Sequence, residues 1–189
     1  MLSTPPSTPP PISPSQLAPM LIARAWDGGP ARPDEVVLLT LHRVEDGLVL
    51  HVNAPMHHDP PPAAPPGPTW ALWEHEVVEL FIAGPGDDEG VHYLELELGP
   101  HGHHLVLILA GRRHIVGREL PLTVTTTLCG ARWIAEAKIP QSLVPTGPLR
   151  VNATAIHGQG EARRYLSLTP LPGAAPDFHQ PQRFVDLRV

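Results

Sequence analysis

The chain has 189 residues, a length that suits one domain, or one domain and a tail, with room for a real core. Its 42% hydrophobic content is ordinary, but only 17% is charged and 26 residues are proline, which argues against a helical bundle because proline cannot donate to a backbone ladder. The formal net charge of −6 disfavours a nucleic-acid partner, no stretch is long and apolar enough to span a bilayer, and the single cysteine, Cys129, excludes an internal disulfide framework and argues against a cysteine-based zinc site.

In chain order, residues 1–17 read as a disordered proline-rich tail of Pro, Ser and Thr that cannot bury enough apolar surface to offset its ordering entropy. Its PxxP-like spacing could dock an SH3-type groove. The start lacks the basic and apolar regions of a secretory signal, so the default expectation is a cytoplasmic protein. Residues 18–189 read as the folded domain. VVLLTLHRV (36–44) and GLVLHVNAPM (47–56) flank Asp46 and Gly47 and predict a β-hairpin. The run DPPPAAPPGP (59–68) predicts a stiff loop that no strand or helix absorbs. LWEHEVVELFIAG (72–84) predicts a strand that stops at Gly84, Pro85 and Gly86.

HYLELELG (92–99) alternates, with Leu94, Leu96 and Leu98 on one face and Tyr93, Glu95 and Glu97 on the other. Pro100, His101 and Gly102 make a tight turn into HHLVLILAG (103–111), a buried strand. ELPLTVTTTL, ARWIAEAKIP, LRVNATAIHG, RRYLSLTPL and RFVDLRV complete the series, with Trp133, Ala135 and Ala137 facing opposite to Ile134, Glu136 and Lys138. No segment keeps a helical apolar stripe over three turns. Many short two-faced strands predict an all-β, antiparallel, jelly-roll-like β-sandwich.

Five stretches in this order carry a resemblance: LWEHEVVELF (72–81), YLELELGPHG (93–102), WIAEAKIP (133–140), LRVNATAIHG (149–158) and PDFHQPQRF (176–184). The chain resembles family 9 carbohydrate-binding modules and their DOMON-like relatives over residues 20 to 189. It is more similar still to an uncharacterised branch with LWEHEVVE, PHGxH, AIHG and PDFH motifs. The resemblance implies a sandwich that grips a sugar between aromatic rings and commonly holds structural calcium. His75 stands where such relatives often carry an acidic residue.

A sugar site needs flat aromatic faces together with carboxylates and amides for hydroxyls. Trp70 and Trp73 follow the proline-rich loop and precede an acidic strand; Trp73 and Trp133 also read as core residues, and Trp70 as the more exposed candidate. Twelve histidines, several at strand ends or turns, offer ligands for a transition metal. In a strand, His75 and Glu79 would share a face two steps apart, so a metal centre would have to draw on separate strands, such as His75 with His101, His104 or His157. His179 is expected to bond backbone near the closing strand. The acidic loop GDDEG (86–90) could contribute to calcium or be a solvated turn. Glu76, Glu79, Glu95, Glu97 and Glu136 could supply a glycosidase pair, but alternating acids on a strand read as a solvated sheet face.

The leading expectation is a non-catalytic domain that binds a carbohydrate or another small polar ligand, with neither nucleic acid nor membrane as partner. Its candidate residues are Trp70, Trp73, His75, Glu76, Glu79, His101, His104 and His157. The alternative is a histidine-coordinated, metal-dependent small-molecule enzyme that uses His75, His101, His104 and His157. The sequence assigns no cofactor; a divalent metal, either a structural calcium or a histidine-bound transition metal, is the one it could hold. A third reading is an interaction domain whose tail recruits a partner.

Overall fold

The computed structural model describes residues 15–17, 19–87 and 89–187, so most of the proline-rich tail lies outside the described residues. The strands in chain order are β1 (Ser15–Gln16), β2 (Met20–Ile22), β3 (Val37–Val44), β4 (Gly47–Pro55), β5 (Gly67–Pro68), β6 (Val77–Ala83) and β7 (His92–Leu98). They continue as β8 (His103–Ala110), β9 (Ile115–Arg118), β10 (Thr123–Cys129), β11 (Arg132–Pro140), β12 (Arg150–His157), β13 (Arg164–Ser167) and β14 (Val185–Asp186). Helical structure among the described residues is confined to short 3₁₀ turns, as the lack of apolar stripes requires.

Two sheets face each other. The smaller runs β1-β3-β4-β11-β10 with β2 also on β3, and the larger runs β13-β12-β6-β7-β8-β5 with β14 on β12 and β9 on β8. Pairing is antiparallel except between β5 and β8, so the protein is an antiparallel β-sandwich. Between the sheets, Leu39, Leu50 and Trp133 of one meet Leu80, Ile82 and Leu96 of the other in a continuous apolar core. Trp133, Ala135 and Ala137 point inward and Ile134 outward, as the alternation requires.

Four local outcomes differ from the expectation. Ser15 and Gln16 pair with Arg43 and His42, so strand pairing begins inside the segment assigned to the tail by composition. Gly67 and Pro68 of the proline-rich loop pair in parallel with His103 and His104; at a sheet edge Pro68 needs no donor, and Gly67 supplies a φ of +136°. Leu72–Glu74 is a 3₁₀ turn entered through Ala71 in the left-handed region, so β6 begins only at Val77 and His75 stands outside it. Ile115–Arg118 adds the unforeseen strand β9.

The larger sheet is buried on both faces. Its outer face carries Phe81, Tyr93, Leu107, Leu109 and Ile156, roofed by Leu72 and by Leu171, Phe178 and Phe184 of the closing segment. That roof decides where a site can be.

Candidate functional site

Alternation along β6 and β7 turns Glu79 and Phe81, with Glu95 and Glu97, toward the roofed outer face. Antiparallel register sets Glu79 opposite Glu97 and Phe81 opposite Glu95, while β12 sets Thr154 opposite Glu79. One oxygen from each of Glu79, Glu95 and Glu97 lies within 4.8 Å of the others. The three residues are 2%, 3% and 0% exposed, which corrects the solvated-face expectation: the sequence-distant roof takes the place of water.

The Thr154 hydroxyl donates to Glu79 Oε2, but Glu95 Oε2 and both oxygens of Glu97 have no hydrogen-bond partner of good geometry. Burial lifts the Glu79 carboxyl to about 7, against the pull of Thr154 and Arg163. Glu95 is driven well above the usual carboxylate range by burial and then by the charge of Glu79. Glu97 is driven the same way by burial, Glu79 and Glu95, with the Trp73 amide opposing.

Over Glu79 and Glu95 lies a cavity of about 410 Å3, within the roughly 300–1,000 Å3 range of small-molecule sites; Glu97 stands beside them, outside its lining. Its floor is Glu79, Phe81, Glu95, Leu107, Leu109 and Ile156 from the sheet. Aromatic walls come from Trp70, Trp73, Tyr165 and Phe178, and Arg113, Ile115 and His179 complete the lining. Trp70 meets Trp73 edge-on, with ring centroids 5.2 Å apart.

Each wall is fastened. Arg163 donates to the carbonyls of Trp73, Glu74 and Gly158, holding the 3₁₀ turn that carries Trp73. Arg112 and Arg113 grip Asp177 from two sides, at 2.5 and 2.8 Å, tying the β8–β9 connection to the roof. Tyr93 Oη accepts from the Arg113 amide at 3.1 Å and lies 2.9 Å from His179 Nδ1. A hydroxyl that accepts from Arg113 has its proton to donate to Nδ1, which leaves the imidazole N–H on Nε2, 3.9 Å from Glu95 Oε2. Burial, helped by Arg113, lowers the His179 pKa to about 4, so the ring is neutral. His179 therefore bonds a phenol beside the cavity; the backbone partner expected from the sequence is not the one its ring takes.

Of the sequence-predicted residues, Trp70, Trp73 and Glu79 line this cavity. Glu76 instead caps the proline-rich loop, accepting from the His57 and Asp59 amides at 2.9 and 3.3 Å. His75 and His101 border a cleft of only about 10 Å3 under that loop. There His75 Nδ1 lies 3.1 Å from Pro60 O, and neighbouring His103 Nε2 lies 2.9 Å from Ala64 O. His104 is buried with no hydrogen-bond partner of good geometry at either ring nitrogen, and burial lowers its pKa against the pull of the Gly102 backbone. His157 stacks on His57 at 3.5 Å, its Nε2 3.3 Å from Glu35 Oε1, and burial takes its pKa down to about 4.

The structure thus does not gather His75, His101, His104 and His157 about one point. Among the described residues, the group of ligating side chains close enough to share an ion is Glu79, Glu95 and Glu97. Asp87 of the acidic loop accepts from the Gly90 amide at 2.9 Å and serves the turn; Asp88 lies outside the described residues. Tyr165 and Phe178 carry no site signal in the sequence, Arg113 reads there only as half of a basic pair with Arg112 for an anionic ligand or a strand edge, His179 as a backbone-bonding residue, and Glu95 and Glu97 as part of a solvated face. The motif PDFH already held Phe178 and His179, but nothing local says that it folds back over β6 and β7.

No family model matches the chain. The chain is 43% identical over 171 residues to the UPF0462 protein C4orf33 homolog of Mus musculus, covering 86% of this chain and 87% of that protein. It is 40% identical over 166 residues to the UPF0462 protein C4orf33 of Homo sapiens, covering 84% and 81%. Among solved structures, a candidate carbohydrate-binding protein from Bacteroides uniformis superposes with a TM-score of 0.71 at 18% identity, over 90% of this chain and 85% of that one. A family 9 carbohydrate-binding module from Caldicellulosiruptor kristjanssonii in complex with glucose superposes with a TM-score of 0.59 at 16% identity, over 90% and 82%. A module of that family from the same organism, in complex with cellotriose, gives 0.56 at 15%, over 90% and 80%. At these identities the likeness is one of fold.

Proposed function

The chain belongs to the UPF0462 family, and from that premise and its sandwich we propose that it is a binding domain for a carbohydrate or similar polyhydroxylated small ligand, held on the outer face of the larger sheet. One observation carries the reading. A single cavity joins four aromatic wall residues to hydrogen-bonding groups on its floor and rim, Glu79, Glu95 and His179 among them. Sugar rings present C–H faces that stack on aromatic planes, while their hydroxyls both donate and accept. The neighbours captured with glucose and cellotriose support the same ligand class.

A histidine-bound transition metal serving a small-molecule enzyme has no comparable support, because among the described residues no three of its four proposed ligands come close enough together to share an ion. Isothermal titration of the full chain with glucose, cellotriose and a panel of other mono- and oligosaccharides tests the proposal. Saturable binding that is lost in Trp73→Ala and Tyr165→Ala is expected. A folded protein that gives no binding with any of them overturns it.

A further inference from the structure

Two buried carboxyls on the floor of an aromatic-walled cavity, Glu79 and Glu95, with a third, Glu97, beside them, are an unusual base for a neutral ligand. Glu97 is completely buried and neither of its oxygens has a hydrogen-bond partner of good geometry; Glu95 leaves one oxygen in the same condition. Nearby guanidinium groups are committed elsewhere: Arg113 to Asp177, and Arg163 to three backbone carbonyls. A buried carboxyl without a partner is costly, and a ligand that arrives with its own donors relieves that cost.

Resting on the reading of the cavity as a polyol site, we propose that its preferred ligand carries a protonated primary amine, as an amino sugar does, and that the ammonium group sits on Glu79, Glu95 and Glu97. The stoichiometry matches, since an ammonium has three N–H donors and the cluster offers three carboxyls, Glu79 and Glu95 on the floor and Glu97 paired opposite Glu79. The spacing permits it. Oxygens that each accept from one tetrahedral ammonium at about 2.8 Å stand about 4.6 Å apart; those of the three glutamates lie within 4.8 Å of one another. The faces of Trp73, Phe81 and Tyr165 around the cavity are attractive to a cation and to the ring that bears it. Trp70 already carries such a contact, with the Arg118 guanidinium 5.4 Å from its ring centroid. A metal ion alone would use the carboxyls and leave the aromatic walls without a role.

The test is a matched set of ligands titrated into the full chain: glucose, N-acetylglucosamine, glucosamine and 6-amino-6-deoxyglucose. At least one of the two amines is expected to bind about tenfold or more tightly than glucose, a difference of the size that one charge-assisted contact supplies. Its binding should release protons, read from the dependence of the heat on the buffer, because the raised carboxyls must ionise to receive the ammonium. Glu97→Gln should reduce the amine-to-glucose ratio, with circular dichroism confirming the fold.

Glucose binding as tightly as both amines overturns this inference and leaves the proposed function standing. No binding by any member of the set overturns the inference, and the broader panel then decides the proposed function. Stoichiometric binding of Ca2+ or Mn2+ after chelator treatment, lost in Glu97→Gln, would make the cluster a metal seat and also overturn it.

Discussion

Glu97 has a side chain that water does not reach, and its ionisation is opposed by burial and by the charges of Glu79 and Glu95, with the Trp73 amide pulling the other way. A carboxyl whose folded pKa is raised contributes stability at low pH and loses it as the pH rises above the unfolded value, 4.5, toward the folded one, which for Glu97 lies well above it. Glu97→Gln keeps the shape and removes that ionisation. The variant should therefore melt a few degrees higher than the parent at pH 8, on the scale of about 2–4 °C per kcal/mol, with a smaller gain at pH 5; equal gains at both pH values would contradict the assignment. His157 and His179 act in the opposite sense. Both are held near 4 by burial, so their contribution is whole above the unfolded value of 6.5 and lost as the pH falls toward 4. Acid should thus weaken the fold through these imidazoles while it favours the protonated glutamates.

At the scale of elements, the β3–β4 hairpin depends on Gly47. It sits at a φ of +146°, and a Cβ there would stand 2.1 Å from Ile139 O in the neighbouring ladder. Gly47→Ala should cost roughly 2–4 kcal/mol in a denaturant unfolding experiment, the range of a backbone clash without room to relax. The proline-rich loop hangs on side chains: His75 and His103 on the Pro60 and Ala64 carbonyls, and Glu76 at its base. His75→Ala combined with His103→Ala should accelerate hydrogen exchange at Gly67 and Thr69, whose amides bond Gly102 and His104, while the β3–β4 amides keep their protection. Most strands and their inward faces were legible in the sequence because period-two alternation and turn residues are local signals. The 3₁₀ turn at Leu72 was hidden because LWEHEVVELF keeps an acceptable strand pattern through it, and β9 because IVGR is short.

For the whole molecule, the decisive feature is a larger sheet with two buried faces. The first face was readable from Leu94, Leu96 and Leu98. The second was not, because its roof comes from residues 171–184, some ninety positions downstream of the glutamates it covers. Trp70, Trp73 and Glu79 could be picked as site residues because they sit together in the sequence; Tyr165, Phe178 and His179 join them only through the sheet order β13-β12-β6-β7 and the closing segment. Histidine count gave a misleading cue, since ring nitrogens here hold the proline-rich loop at His75 and His103 and meet a phenol at His179. Arg163 links these levels by fixing the Trp73 turn and lying over Tyr165, 5.7 Å from its ring. Arg163→Ala should lower ligand affinity about tenfold or more through wall disorder, with a matching change in tryptophan fluorescence.

The central claim is that the roofed face of the larger sheet receives a small polyhydroxylated ligand. Its most direct test is a series of amide proton–nitrogen correlation spectra of the full chain, titrated with glucose and glucosamine. Saturable shifts are expected for the Trp70 and Trp73 indole signals and for the amides of Tyr165 and His179, with the outer face of the smaller sheet around Thr125 and Ile134 unmoved. Shifts confined to that smaller sheet, or none with either sugar in a well-folded sample, would contradict it.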